Sequence, residues 1–278
     1  LRDGTTININ GEDRDVKYID FENIWNNDFV VTSQYWVQGF KLVKTDVVLL
    51  VNGIPLVPIE AKQRARKGTN WMEGVKQFST YQQRAAHYWM TNLFGVACNG
   101  RITKYGIPGA SASYFGEWKD TIIDTDFPNP ILNTDNDLCE HEEKDGYKHF
   151  KIKYLPSGKP EEQMKWGILG LLQPARVLDI LQNFIVFERT EESGIVKKVA
   201  RYQQLRAANK IVTRVAETDR NQGVIWHTQG SGKSLTMLYT AYKLRQHEKL
   251  KDPTVYIIVD RKDLKEQIGG TFEDCEFP

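Results

Sequence analysis

Asp46 and the triplet Glu60-Ala61-Lys62 are the first residues in this sequence whose types and spacing could do chemistry. They flank the apolar run "VNGIPLVPI", and side chains on a strand alternate, so Glu60 and Lys62 project to the same side. Asn52-Gly53 is a strong hairpin signal, which folds the strand carrying Asp46 back beside the strand carrying Glu60. Two carboxylates brought together repel unless a cation sits between them. A divalent ion there lowers the pKa of a bound water and stabilises charge developing on a phosphate, and a neighbouring ammonium orients or neutralises the reacting groups. An edge strand with solvated Glu60 and Lys62 is the plainer alternative.

The spacing sets a condition on this reading. With a strict two-residue turn, Val51 pairs with Ile54 and Asp46 faces Ile59, which sends Glu60 to the opposite side of the sheet. One metal cannot then be shared. The site therefore requires either an odd-numbered loop or a β-bulge, and Pro55 and Pro58, which lack N–H donors, make an irregular ladder the expectation.

A second cluster lies downstream. "VIWHTQGSGKSLTM" reads as a strand, a glycine-rich turn and an amphipathic helix. Gly230, Ser231 and Gly232 let backbone N–H groups approach phosphate oxygens. Lys233 reaches the terminal phosphates, the Ser234 hydroxyl holds Mg²⁺, and the helix N-terminus adds its dipole. A glycine-rich turn without a ligand is the bland reading. His227 stands where the usual first glycine of such a loop would be. Upstream, "ARYQQLRAANKIV" has Gln204, with Gln203 as alternate, at a place that resembles the one where superfamily 2 helicases set a glutamine that reads the adenine edge; a surface glutamine on a polar helix face is the competing reading. Gln77 and Tyr81, four apart in "QFSTYQQR", share one helix face. Lys62, Arg64, Arg66 and Lys67 form either a phosphate-binding edge or a solvated turn. "IIVDRKDLKEQI" resembles the helicase motif that touches the DNA backbone, or is an ordinary strand-to-helix turn with Asp263 near a helix start.

The elements that must position these groups fall into three textures. Residues 1 to about 115 mix β-rich runs with one helical stretch from Asn70 to Met90. Residues 116–150 are acidic, turn-rich and weakly periodic, and are expected to form an insertion or long loop. From "MKWGILGLLQPARVLDILQNFIVFE" the pattern turns helical and leads to the strands "GVIWHT" and "TVYIIVD", an order that implies a parallel sheet. The expected organisation is a domain over 1–160, a helical connector over 161–200, and the first part of a nucleotide-binding domain over 201–278. The fold class is α/β, with a mixed sheet in the first part and a parallel sheet in the second.

Bulk properties narrow the classes. The 278 residues carry a net charge of +1, with 40% hydrophobic and 26% charged residues, which suits a globular protein with no whole-molecule field for nucleic acid. No apolar run approaches a membrane span and no signal peptide is evident, so a cytoplasmic location is expected. The three cysteines form no CxxC pair and the five histidines no metal-ligand spacing. The first residue is Leu1 and the chain stops at Pro278 soon after the glycine-rich loop, so a piece of something longer is expected.

Taken in order, "TDVVLLVNGIPLVPIEAK", "QFSTY", "VARYQQLRAANKIV" and "WHTQGSGKSLTM" resemble the restriction (motor) subunit of type I restriction–modification enzymes. The resemblance covers roughly residues 20 to 100 and 165 to 270. It implies a restriction-endonuclease-like domain with Asp46, Glu60 and Lys62 as the cutting site. Asp46 and Glu60 would be its metal ligands, and Gln77 and Tyr81 would support it or touch DNA. It implies, too, the first part of a RecA-like superfamily 2 helicase domain, binding ATP through Gln204 and residues 230–234, with Ser234 on the metal. The implied activity is that of an ATP-dependent site-specific deoxyribonuclease and translocase on double-stranded DNA, using Mg²⁺ and ATP beside methyltransferase and specificity subunits. No DEAH-like carboxylate pair, arginine finger or second RecA-like domain follows, so this piece is not expected to hydrolyse ATP efficiently. A DNA-repair helicase–nuclease acting on DNA ends, and a catalytically silent ATP- or DNA-binding module, are the alternatives.

Overall fold

Alternating apolar residues in several short runs build one sheet near the start of the chain. The computed structural model describes residues 1–63, 70–119, 139–144, 147–152, 160–192, 194–218 and 222–275. It divides into two units, Leu1–Leu178 and Asp179–Pro278. The first opens with an exposed hairpin of β1 (Thr5–Ile9) and β2 (Glu12–Val16). Asn10 and Gly11 turn it at φ 56° and 89°, the left-handed values such a turn requires.

The main sheet has six strands in the order β3 (Phe29–Val37), β4 (Val43–Val51), β5 (Ile54–Ala61), β6 (Gly95–Cys98), β7 (Thr103–Gly106) and β8 (Gly116–Glu117). The β5/β6 pair is parallel and its other neighbours are antiparallel. A parallel return needs a crossover, which the chain supplies with α1 (Trp71–Arg84) and a 3-10 turn over Ala86–Met90. Asn70 caps α1, its side chain accepting from Met72 N–H at 2.8 Å. The expected helix over 70–90 is thus two pieces. Beneath it lies a core of Val37, Val43, Val48, Val75, Phe78, Tyr81, Ala85, Tyr88, Ala97 and Phe115.

At the end of the expected acidic loop and two residues past it, β9 (Cys139–Lys144) and β10 (Tyr147–Ile152) form an antiparallel hairpin. The helical stretch that follows gives α2 (Pro160–Leu171) and α3 (Pro174–Asn183), the latter crossing from the first unit to the second. The expected connector over 161–200 is not wholly helical: β11 (Ile185–Thr190) and β12 (Gly194–Val199) pair antiparallel. Their β-branched and aromatic residues, turned at Gly194 with φ 68°, fit a strand better than a helix.

The second unit continues with α4 (Tyr202–Glu217), α5 (Lys233–Gln246) and α6 (Lys262–Asp274). Phe184 and Tyr239, both fully buried, pack with ring centroids 5.4 Å apart. Lys243 Nζ donates to Asp179 Oδ1 at 2.7 Å and Asn209 Oδ1 at 2.6 Å, tying α3, α4 and α5 together. The parallel sheet expected here is not formed among the described residues: neither 223–228 nor 254–260 is a strand. Parallel strands are normally covered on both faces, yet Val224 is 97% exposed and Ile258 93%. Alternate residues Ile225, Val255 and Ile257 do line a cavity with α4 and α5, so the two-residue period is present without the ladder.

Candidate active site and phosphate loop

The β4–β5 ladder begins in one register and ends in another. Val51 pairs with Ile54 and Leu50 with Pro55, but Leu49 then pairs with Val57, Val48 with Pro58 and Val47 with Ile59. The shift between Leu49 and Leu50 is the bulge that the spacing of Asp46 and Glu60 requires, and the new register runs on toward those two residues. Asn52 and Gly53 still make the tight turn, at φ 51° and 77°. Carbonyls near the bulge find partners in the segment before β6. Thr91 and Asn92 side chains donate to Pro55 O at 3.0 and 2.7 Å, and Leu93 N–H donates to Leu56 O at 2.7 Å. Satisfying these buried acceptors is what makes an irregular ladder affordable.

One ammonium joins the two carboxylates. Lys62 Nζ lies 2.8 Å from Glu60 Oε2 and 3.7 Å from Asp46 Oδ2. Asp46 Oδ2 also accepts from the Ala61 N–H at 2.9 Å. Glu60 is fully buried, and burial pushes its carboxyl up to about 7, against the pull of Lys62 and with the help of Asp46. Its Oε1 is buried without a hydrogen-bond partner. A two-oxygen acceptor with one oxygen unspent, beside a second carboxylate, is a donor set suited to a hard divalent cation. Cys98 stands close by, its thiol pushed up to about 11 by burial and by the Asp46 charge.

Gln77 and Tyr81 look inward. Tyr81 Oη donates to Lys44 O at 2.8 Å and accepts from Gln77 Nε2 at 3.3 Å. Tyr81 is only 7% exposed, and burial with the nearby Glu60 charge pushes its phenol well up. The pair ties α1 to β4 two residues before Asp46, so this geometry carries support rather than contact with an outside ligand. Sequence reasoning passed over Gly74, which lets α1 sit on this strand: a Cβ there would lie 3.0 Å from Glu60 Cβ and 3.2 Å from Ala97 Cβ. A lone glycine inside an amphipathic helix, costly unless something packs against it, was the available signal. Arg64, Arg66 and Lys67 lie outside the described residues.

At the glycine-rich turn, Gly230 and Gly232 adopt φ 75° and 79°, and α5 starts at Lys233. Ser231 Oγ donates to Thr228 O at 2.7 Å, and Lys233 Nζ folds back onto the carbonyls of Thr228 and His227 at 3.0 and 3.3 Å. Ser234 follows in the first helical turn. Gln204 is buried at the start of α4, its Oε1 accepting from Arg201 N–H at 2.8 Å. Its Nε2 donates to the carbonyls of Gly232 and Ser231 at 3.1 and 3.4 Å. Both ends of the amide thus grip the protein, and a Cβ at Gly232 would collide with Gln204 Nε2. Asp263 lies in the first turn of α6, paired with Arg261.

Residues 1–113 match the family model for the type I restriction enzyme R protein N terminus. That match covers the N-terminal part of the chain. Residues 203–278, containing the glycine-rich turn, match the SWI2/SNF2 ATPase family. Curated relatives align along nearly all of the chain. The HindI type I restriction enzyme endonuclease subunit of Haemophilus influenzae is 31% identical over 98% of the chain and 24% of its own length. A putative type I restriction enzyme endonuclease subunit, MjaIXP, of Methanocaldococcus jannaschii is 29% identical over 95% of the chain and 25% of its own. The SsaAORF53P subunit of Staphylococcus saprophyticus is 26% identical over 92% and 23%. The chain therefore spans about a quarter of the length of these relatives. Among its described residues no helix is long and apolar enough to cross a membrane.

Proposed function

We propose that this chain is the nuclease and start of the motor of a type I restriction enzyme, an endonuclease that hydrolyses double-stranded DNA. The observation that carries the reading is the bulged hairpin, which gathers Asp46, Glu60 and Lys62 around one point and leaves Glu60 Oε1 unpartnered. Asp46 and Glu60 would hold Mg²⁺. Bound there, such an ion activates water and offsets charge on the phosphate. Lys62 positions the scissile phosphate by its ammonium and offsets charge as water adds to phosphorus and the P–O bond to the leaving oxygen breaks. That oxygen takes up a proton as it departs. Gln77 and Tyr81 hold β4 in place beneath this chemistry.

The loop over 230–234 binds ATP. Gly230 and Gly232 supply the left-handed turns that curl the backbone around phosphate oxygens, Lys233 swings from its carbonyl partners to the terminal phosphates, and Ser234 holds the accompanying Mg²⁺. Gln204 braces the loop and meets the adenine edge when its amide is released. In the longer protein the ATPase drives translocation along DNA, in the cytoplasm, in a complex with methyltransferase and specificity subunits.

Asp46→Ala in the full-length subunit, assembled with those partners, tests the nuclease assignment. Cleavage of plasmid should fall by about 10³-fold or more while DNA-stimulated ATP hydrolysis stays at the parental rate. Sustained cutting by the well-folded variant would move the site elsewhere.

A further inference from the structure

The loop between β3 and β4, residues 38–42, carries an exposed aromatic tip that the chemistry above does not use. Phe40 is 88% exposed, and Leu42 beside it and Trp36 on β3 are about half exposed. An isolated exposed apolar side chain on a soft loop would mean nothing. This one is held rigidly. Gly39 packs so closely against the end of α1 that a Cβ would lie 2.6 Å from Ala85 Cα and 2.8 Å from Ala85 Cβ. Lys41 N–H donates to Arg84 O at 3.1 Å. The turn is thus bolted to the helix that bears Gln77 and Tyr81, with Phe40 aimed away from it into solvent.

Charge gives the tip a preference. The stretch from Val37 to Thr45 contains Lys41 and Lys44 and no acidic residue. Lys44 Nζ sits over the Trp36 ring, 5.0 Å from its centroid, so the aromatic face is already dressed with a cation. Position matters as well. β4 leaves the tip at Val43 and reaches Asp46 three residues later, and it pairs there with the end of β5 that leads into Lys62. At about 3.3 Å per residue, Phe40 lies no more than ~20 Å along the chain from Asp46. That is within one helical turn of a duplex, about 34 Å.

We propose that the β3–β4 tip is a docking element for double-stranded DNA. Phe40 and Leu42 enter a groove against base-pair edges, and Lys41 and Lys44 take the flanking phosphates. Apolar wedges beside basic residues are a common way to hold a duplex with little sequence preference. A purely hydrophobic protein partner would not need the lysines, and a polyanion alone would not need the aromatic tip. The proposal rests on the nuclease reading, because it supplies that site's substrate with a second point of contact.

Two measurements test it separately from that reading. In the assembled full-length enzyme carrying Asp46→Ala, a photo-crosslinking phenylalanine analogue at position 40 should couple to duplex DNA on illumination. In the otherwise parental enzyme, Phe40→Ala should slow plasmid cleavage about tenfold with ATP hydrolysis unchanged, and Phe40→Trp should restore it. Lys41→Gln should lower the slope of log affinity against log salt by about one. A crosslink to a protein subunit instead of DNA, or full-rate cleavage by Phe40→Ala, overturns the docking role. If Asp46→Ala itself still cuts, the nuclease assignment fails, and the crosslink to DNA then reports on the tip independently.

Discussion

Glu60 gives the clearest consequence at the scale of a single residue. Its carboxyl is raised from 4.5 to about 7 because burial disfavours the anion. The folded protein therefore holds a proton that the unfolded chain releases, so without a divalent cation stability should fall as pH rises from about 4.5 to about 7 and level off above. At 1.36 kcal/mol per unit the full effect is about 3 kcal/mol. Glu60→Gln should remove that contribution, and the variant should gain on the parent steadily across this window in urea unfolding with a chelator present. Parallel stability curves for the two proteins would show that Glu60 ionises freely in the fold. At the glycine-rich turn, the grip of Gln204 on Gly232 was not legible in sequence: the glutamine reads either as a surface residue on a polar helix face or as a ligand contact. Only the fold shows that it spans to a loop 28 residues away.

Among elements, α1 is the one that shapes the candidate nuclease site. Tyr81→Phe keeps its ring in the core while removing the bond to Lys44 O. We expect a loss of roughly 1 kcal/mol in stability, in keeping with one lost hydrogen bond to a part-buried carbonyl. Plasmid cleavage should drop and ATP hydrolysis in the assembled enzyme should be spared; equal losses in both activities would instead mean global damage. The β4–β5 hairpin was largely legible beforehand. Asn52-Gly53 specifies the turn, and the distance between Asp46 and Glu60 forces an irregular ladder. The position of the irregularity, beside fully buried Leu56, was not legible, because it depends on Thr91, Asn92 and Leu93 arriving from another part of the chain to take up carbonyls. The sequence predicts loop and helix where the structure has the hairpins β9–β10 and β11–β12, for a similar reason: short polar or mixed runs become strands when a neighbour is available.

For the whole molecule, the two units present different surfaces. The first covers its sheet with α1 and a shared aromatic core. In the second, Val224, Trp226, Tyr256 and Ile258 are all more than 80% exposed, an apolar patch of the sort that drives association. The 278-residue chain alone should bind a hydrophobic dye and self-associate with rising concentration. Trp226→Lys with Ile258→Lys should suppress both, as read by dye fluorescence and light scattering. A monomeric, dye-silent parent chain would contradict this. The sequence pattern marks these runs as strands, and neither is one among the described residues; only the two-residue alternation is present, one side apolar toward the helices and one side apolar outward. What it could not supply is the partner strand, since periodicity describes a face and says nothing about who lies beside it.

Gly74 works as a spacer of zero thickness. Because it lacks a methyl group, α1 rests directly on Glu60 and Ala97, over a carboxylate that is fully buried. If that contact is part of what keeps Glu60 dry, the height of the helix sets the hydration, and so the proton affinity, of this one carboxyl. Gly74→Ala should lift the helix by a few tenths of an ångström, at a cost on the order of 1–3 kcal/mol for an overpacked contact. The carboxyl signal of Glu60 in pH-dependent NMR should then titrate below its value of about 7. An unchanged midpoint would mean that the seal over Glu60 is made by other side chains.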